Sequence, residues 1–363
     1  MKTHKHLYEE FISDRNILLA IKNASKHKLD RERVKQIHDN PQDYVEHYRN
    51  CALNYKSRRH KPKIIYDGIQ RKKRTIIVPA FDEQVIHHMT VNILKPIFMK
   101  SMYEHSYGSI PERGSHKGMK RIRKWIRKGG RNIKYCLKMD IRKYFESIPH
   151  DILNAKLEKI IKDEKFLALV EEIVRITKVG IPIGFYTSQW IANWYLTELD
   201  HKIKEEFGAV YYVRYMDDMV IFGSSKKSLH KIRVQIEEYL SSHLGLTLKD
   251  NWQIFRFDYI RDGKHYGRFL DFMGFRFYRD RVTLRHTIFL KAKRKAKRIS
   301  KKGRANIHDA RQIISYMGWF KHSDTYGAYL AYIKPYVNIQ NLKRRISDHD
   351  RRMEDGRREL LAG

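Results

Sequence analysis

Cysteine is scarce in this chain. Cys51 and Cys136 are two of 363 residues, too few for a disulfide scaffold or a cysteine-built zinc site. The 8 prolines and 19 glycines never gather into a low-complexity linker, and no repeat of fixed period recurs. No uninterrupted apolar run approaches the ~18 residues of a membrane span. The start, MKTHKHLYEEF, lacks the apolar stretch of a secretion signal. The 19 histidines form no HExxH or Cys/His cluster. Acid is also short: 41 Asp+Glu face 75 Lys+Arg, a formal net charge of +34. A non-membrane, cytoplasmic protein is the expectation, and an excess of this size points to a polyanionic partner, nucleic acid first. Hydrophobic content of 42% and aromatic content of 12% argue for folded cores rather than disorder. At ~100–200 residues per domain, the length suits two or three domains.

The pattern along the chain predicts an α+β fold, a small antiparallel sheet with helices on one side. Residues 1–55 read as helices, one opened by Asp30 as N-cap and another started by Pro41. Residues 64–78 read as a hairpin around the basic turn Arg71–Arg74. Helical spacing returns over 82–100, and a very basic helix follows at 117–128. A strand at 135–139 ends in Asp140. A long helical stretch covers 150–177, and the loop Gly180–Gly184 opens a helix to about 206, with Ser188 as a candidate N-cap. Strands flank a tight acidic turn within 211–222. A helix at 226–243 precedes short strands at 246–248, 252–257 and 269–278, and from Ile288 the chain reads as basic helix. The expected division is an N-terminal helical extension (1–55), a central α+β domain (56–285), a basic helical domain (286–345) and a charged tail (346–363).

Three carboxylates stand out. In Val213-Arg214-Tyr215-Met216-Asp217-Asp218-Met219-Val220-Ile221-Phe222 two β-prone runs flank adjacent aspartates. Neighbouring carboxylates raise each other's pKa, and a divalent cation with oxygen ligands relieves the repulsion. In Tyr135–Asp140 a second apolar strand delivers a third aspartate to its end. Three carboxylates in one cleft could hold two metals ~3.5–4 Å apart, the arrangement for in-line nucleotidyl transfer. An isolated Asp-Asp is ordinarily just a turn. Its setting between apolar strands, downstream of Asp140 in a strongly basic chain, favours the site.

Tyr215-Met216-Asp217-Asp218 resembles the YxDD box of reverse transcriptases, and Asp140 resembles their first metal ligand. Arg74–Phe98 is similar to the family's first fingers motif, and Ser106-Tyr107-Gly108 with Arg113-Gly114-Ser115 to the second. Gly180–Leu199 resembles the template-side palm motif and Phe269–Phe277 the strand that grips the primer. The matching motifs cover about 74–278. The resemblance implies a right-hand polymerase (fingers, palm, thumb) with an antiparallel palm sheet over 56–285 and a helical thumb over 286–345. It also implies RNA-directed DNA synthesis with two Mg²⁺ ions, or Mn²⁺, at Asp140, Ile141, Asp217 and Asp218.

Departures inside the motifs resemble one branch. Pro182-Ile183-Gly184 carries isoleucine where most reverse transcriptases have glutamine, and Ser188-Gln189 replaces Ser-Pro. These features, with Asn251–Phe255 and Ser315–His322 followed by Asp324-Thr325-Tyr326, are similar to the reverse transcriptases of diversity-generating retroelements. That branch implies a bacterial, archaeal or phage source, copying of a structured template-repeat RNA with errors at template adenines, and mutagenic retrohoming. Its implied partners are that RNA, target DNA or cDNA, deoxynucleoside triphosphates and a small oligomeric accessory protein. The alternatives are a retron or group II intron-type reverse transcriptase, and a non-catalytic RNA-binding scaffold of the same shape.

For the incoming nucleotide and template, the resemblance points to Phe145 as a gate against a 2′-hydroxyl and to Ile183, Gly184 and Gln189 along the template. Lys72 and Arg74 in the fingers turn would clamp phosphates. Ile183 can only pack where glutamine could hydrogen-bond, which loosens base selection. Tryptophan stands at 252 where many members have a lysine that protonates pyrophosphate, and Lys249 is the nearby candidate. Eight Lys/Arg in Lys117–Arg131 and nine in Lys291–Arg304 suit salt-sensitive phosphate binding. Trp125, Tyr316, Trp319 and Tyr326 could stack on bases, against the ordinary alternative of core packing.

Overall fold

The computed structural model describes residues 3–58, 60–67 and 72–362. In chain order the helices α1 (Leu7–Phe11), α2 (Asp14–Ser25), α3 (Glu32–Asp39) and α4 (Val45–Leu53) precede the hairpin β1 (Lys63–Asp67) and β2 (Lys72–Ile76). Next come α5 (Phe81–Ser101), α6 (Ser115–Lys128), β3 (Tyr135–Asp140), α7 (Tyr144–Ser147), α8 (His150–Ile160), α9 (Glu164–Val174), α10 (Tyr186–Tyr195) and α11 (Thr197–Glu205). Then follow β4 (Tyr211–Tyr215), β5 (Asp218–Gly223), α12 (Lys226–Leu244), β6 (Gln253–Arg256), β7 (Tyr259–Arg261), β8 (Lys264–Tyr266), β9 (Leu270–Phe272), β10 (Phe275–Phe277) and β11 (Val282–Leu284). The chain closes with α13 (His286–Lys301), α14 (Ile307–Lys321), α15 (Tyr326–Tyr332) and α16 (Ile339–Ala362). It folds into two compact units, residues 1–114 with 135–254, and residues 115–134 with 255–363. Among the described residues no helix is long and apolar enough to cross a membrane.

The first unit is built on an antiparallel sheet in the order β4-β5-β3-β6, β6 lying where the chain leaves this unit. Met219, Val220, Ile221 and Phe222 of the central strand β5 are all buried. The run is apolar throughout because a central strand covered on both faces has no outward side to keep polar. Helix α5 packs against α2 and α10, and its Val85, Ile86, Met89, Ile93 and Leu94 lie in the same core cluster as Leu137 and Ile221.

Helix boundaries differ from expectation where local hydrogen bonding overrides composition. Helix α3 starts after Arg31 without a side-chain cap, so Asp30 does not cap it. The stretch 150–177 divides at Ile161–Asp163. Asp163 accepts from Phe166 N at 3.1 Å to begin α9, and its other oxygen accepts from Tyr8 N at 2.8 Å. Helix α10 begins after Phe185, which leaves Ser188 buried inside it rather than at its cap. Expected strand 246–248 reduces to an isolated bridge between Leu248 and Ile141.

In the second unit β9, β10 and β11 form a three-stranded sheet and β7 with β8 a separate hairpin. The expected single strand 269–278 is therefore two strands, turned at Met273 and Gly274, whose φ values are 50° and 86°. Helix α6 buries Met119, Ile122 and Ile126. His116 of α6 lies edge-on to Phe275 and to His322, and tilted against Trp319. Arg123 holds Asp324 at 2.9 Å. Lys295 and Asp309, both buried, form an ion pair between α13 and α14.

Candidate active site

Strands β4 and β5 meet in a two-residue turn, Met216-Asp217, closed by the pair Tyr215↔Asp218. Met216 adopts φ 55°, a left-handed conformation uncommon for a non-glycine residue. The chain therefore places Asp217 at the tip and Asp218 as the first residue of β5. On the other side of β5, Asp140 ends β3 directly opposite Asp218. Residues opposed in an antiparallel pair project from the same face, so Asp140 and Asp218 are cross-strand neighbours. Asp217, at the adjoining tip, is close enough to the Asp140 carboxylate for the two to interact electrostatically. The sheet thus brings the three predicted aspartates together.

The tip is held from beneath by a buried polar framework. Arg214 is fully buried and forms an ion pair at 2.6 Å with Asp200 of α11, also fully buried. Its Nη1 donates to the carbonyl of Met216 at 2.9 Å and its Nη2 to the carbonyl of Asn193 at 3.0 Å. Tyr212 donates to Asp200 at 2.6 Å. Burial works against the charge on Arg214, but the Asp200 carboxylate more than offsets it and holds its pKa above the ordinary value. Asn193 Nδ2 reaches both the Gly108 carbonyl at 2.8 Å and Met216 Sδ at 3.2 Å. A Cβ at Gly108 would stand 2.6 Å from Met216 N, so only glycine fits there. The Ser106–Gly108 segment runs beside β4, with Tyr107 N donating to the Arg214 carbonyl at 2.9 Å. Motif and spacing did not point to this framework. One signal was available: arginine inside an apolar strand requires a buried partner.

Burial first, and then the Asp140 and Asp218 carboxylates in the same sense, raise the pKa of Asp217 to about 7. Lys249 Nζ forms an ion pair with Asp140 Oδ2, and Lys249 N donates to the Asp140 carbonyl at 2.8 Å. Asp140 Oδ1 is buried with no hydrogen-bond partner. An orphaned carboxylate oxygen beside two further aspartates is a donor set that suits a hard divalent cation. Ile141, buried, continues from Asp140 into the bridge with Leu248.

The remaining candidates divide. Lys72 and Arg74 belong to strand β2, opposite Asp67 and Ile65, rather than to its turn. Phe145 lies in α7, partly buried against the core, and its carbonyl accepts from Ile181 N at 2.6 Å. The Ile183 carbonyl accepts from Ile77 N at 2.7 Å. Gly184, at φ 112°, passes so close to Ile77 O that a Cβ would stand 2.2 Å from it. These bonds tie the 181–184 loop both to α7 and to the chain after β2. Gln189 is exposed on α10.

A second grouping lies in the other unit. Ligand atoms of Asp258, His265 and Asp280 fall within 4.8 Å of one another. Their needs are met internally: His265 Nδ1 bonds Asp258 at 2.9 Å, Arg281 bonds both His265 Nε2 and Asp280 at 2.9 Å, and Arg279 N donates to Asp258 at 2.7 Å. A guanidinium already occupies the place a cation would take.

An antiparallel sheet that gathers three aspartates at the ends of adjacent strands is arranged like the palm of a nucleotide polymerase. Residues 60–259 match the family described as reverse transcriptase (RNA-dependent DNA polymerase), and the chain belongs to that family. It is 23% identical over 253 residues to Protein YkfC of Escherichia coli K12, covering 58% of this chain and 64% of that protein. It is 28% identical over 139 residues to the retron Ec73 reverse transcriptase of Escherichia coli, covering 34% of this chain and 43% of the relative. It is 29% identical over 140 residues to the group II intron-encoded protein LtrA of Lactococcus lactis, covering 36% of this chain and 23% of the relative. The chain spans less than two thirds of the length of each of these relatives.

Proposed function

We propose that the protein is an RNA-directed DNA polymerase acting at Asp140, Asp217 and Asp218. The observation that carries this reading is the register of β3 on β5, which sets Asp140 opposite Asp218 beside the Asp217 tip. Two Mg²⁺ ions, held by the three carboxylates and the main chain at Ile141, would activate a 3′-hydroxyl and neutralise the triphosphate. The chain's own residues do the rest. Arg214, Asn193 and Gly108 fix the turn so that Asp217 and Asp218 stay facing Asp140. The linked segments at Phe145, Ile181–Gly184 and Ile77 form the floor on which sugar and templating base rest. The Phe145 ring excludes a 2′-hydroxyl, and Arg74 and Lys72 bind the outgoing phosphates. A primed RNA template, a deoxynucleoside triphosphate and Mg²⁺ test the reading. Extension by the native chain and none by Asp217→Asn is expected, and extension surviving that change refutes the assignment.

We further infer membership of the diversity-generating branch, because Ile183 stands in the template-side motif where a glutamine would hydrogen-bond. On this reading the protein copies a structured template-repeat RNA into cDNA for mutagenic retrohoming, with a small oligomeric accessory protein as partner. Similarity to retron and group II intron proteins favours the second reading, a polymerase of one of those kinds. Sequencing of the cDNA separates them: errors concentrated at template adenines support the first, and uniform fidelity the second.

A further inference from the structure

The second unit carries a tyrosine face that the polymerase site does not use. Tyr326, Leu330 and Tyr332 of α15 are 65%, 38% and 44% exposed. Large apolar side chains exposed together on one short helix call for an occupant. Their rings are fixed from behind. Tyr332 packs on Phe289 with ring centroids 5.7 Å apart, and Tyr329 packs on Phe320 at 6.1 Å. Tyr326 and Tyr329 adjoin at 5.8 Å. Helix α13 supplies cations to one of these rings, Tyr332, and to Tyr336 beyond α15. Lys293 Nζ sits 4.2 Å from the centre of Tyr332, and Lys297 Nζ 5.4 Å from that of Tyr336. A hollow of about 580 Å³ continues the surface between Tyr329, Lys334, Tyr336 and Gln340.

Charge selects among occupants. Residues 286–304 hold nine Lys/Arg and neither Asp nor Glu, and residues 325–347 are likewise free of acid. A protein partner would find the bordering carboxylate, Asp324, already paired with Arg123 at 2.9 Å and bonded to Val282 N. A nucleic acid would meet lysines spaced beside ring faces, the combination that binds unpaired strands by stacking plus phosphate neutralisation. Bases in a duplex stack on each other and leave no face for tyrosine, so exposed rings suit a single strand.

We propose that the α13–α15 face, centred on Tyr326, Tyr332, Lys293 and Lys297, binds an unpaired nucleic-acid strand through base stacking. The inference rests on the polymerase reading only for where such a strand would come from; the surface itself stands on its own chemistry.

Fluorescence anisotropy on the full chain tests it, with three labelled probes of about 16 units: single-stranded RNA, single-stranded DNA of the same sequence, and blunt RNA duplex. Tyr326→Ala with Tyr332→Ala is expected to weaken single-strand binding at least about tenfold while duplex binding changes by less than about twofold. Tyr332→Phe, which keeps the ring, should bind as the native chain does. Lys293→Gln with Lys297→Gln should lower the slope of log affinity against log salt by about 1.4, the two lost phosphate contacts. The two single-strand probes show whether the 2′-hydroxyl contributes. Unchanged single-strand affinity in the double tyrosine variant overturns the proposal, as does an equal loss on duplex. Primer extension by the same variants is read separately. Extension that persists without any loss of strand affinity would defeat this inference and leave the polymerase reading intact. Absence of extension in the native chain would do the reverse.

Discussion

The β4–β5 and β7–β8 hairpins each carry aspartate at a two-residue tip, and they differ in what lies under them. The β7–β8 hairpin turns at Asp262 and Gly263, with φ values of 47° and 70°. Asp262 is 84% exposed and pairs with its neighbour Arg261. The β4–β5 hairpin turns at Met216 and Asp217 over a buried arginine, aspartate and asparagine, with Asp140 alongside. Turn chemistry accounts for aspartate at both tips. What separates a tip from a site is the buried framework that fixes one of them against a third strand.

The contrast is tested most sharply at the tips themselves. Asp217→Asn should lower the rate of nucleotide addition by more than about a thousandfold, the several kcal/mol expected of a cation-binding carboxylate. Asp262→Asn should leave it within about twofold, and comparable losses in a primer-extension assay would erase the distinction. Next comes the framework. Asp200→Asn leaves Arg214 buried without its counter-charge, and urea unfolding should report a loss of about 3–5 kcal/mol. A loss below about 1 kcal/mol would mean that the framework does not hold the tip.

A third test uses pH. The Asp217 carboxyl, raised to about 7 in the folded chain, holds a proton there that the unfolded chain has already released. In the absence of metal its contribution to stability is therefore present at low pH and lost as pH rises through about 7. A cation competes with the same proton. Binding of Mg²⁺, followed by calorimetry, should strengthen by up to about tenfold per pH unit below 7 and level off above it. Asp217→Asn should flatten both trends, whereas Asp262→Asn should not. A flat profile in the native chain counts against the carboxylate cluster.

The smallest effect concerns Ile183. Ile183→Gln should lower misincorporation at template adenines by about 5- to 150-fold, the ~1–3 kcal/mol of one added polar contact. An unchanged error spectrum would mean that the isoleucine merely fills space and has no part in base selection.

Much of this was legible in one dimension. The run Val213–Phe222 announced a hairpin with acid at its tip, because two β-prone segments separated by two residues have few other ways to pair. Strand β3 with Asp140 at its end was equally plain. Other features had no local signature. Ser188 has the chemistry of a cap, yet the 181–184 loop, tied to Ile77 and α7, starts the helix at Tyr186 and buries the serine. The β7–β8 hairpin and β11 were missed because their strands are three residues each, too short for alternation to register. The role of Arg214 was not read from the sequence, since its partner Asp200 lies 14 residues away on another element.

Sequence alone determined that the chain would carry a large positive excess and acid at two strand ends, since charge and two-residue periodicity are properties of neighbours along the backbone. Only the tertiary structure decided that Asp140 faces Asp218, that Arg214 points inward to Asp200, and that Tyr332 lies under Lys293. Those pairings join residues remote in the chain, and their strength comes from burial, which exists only once separate elements close over them.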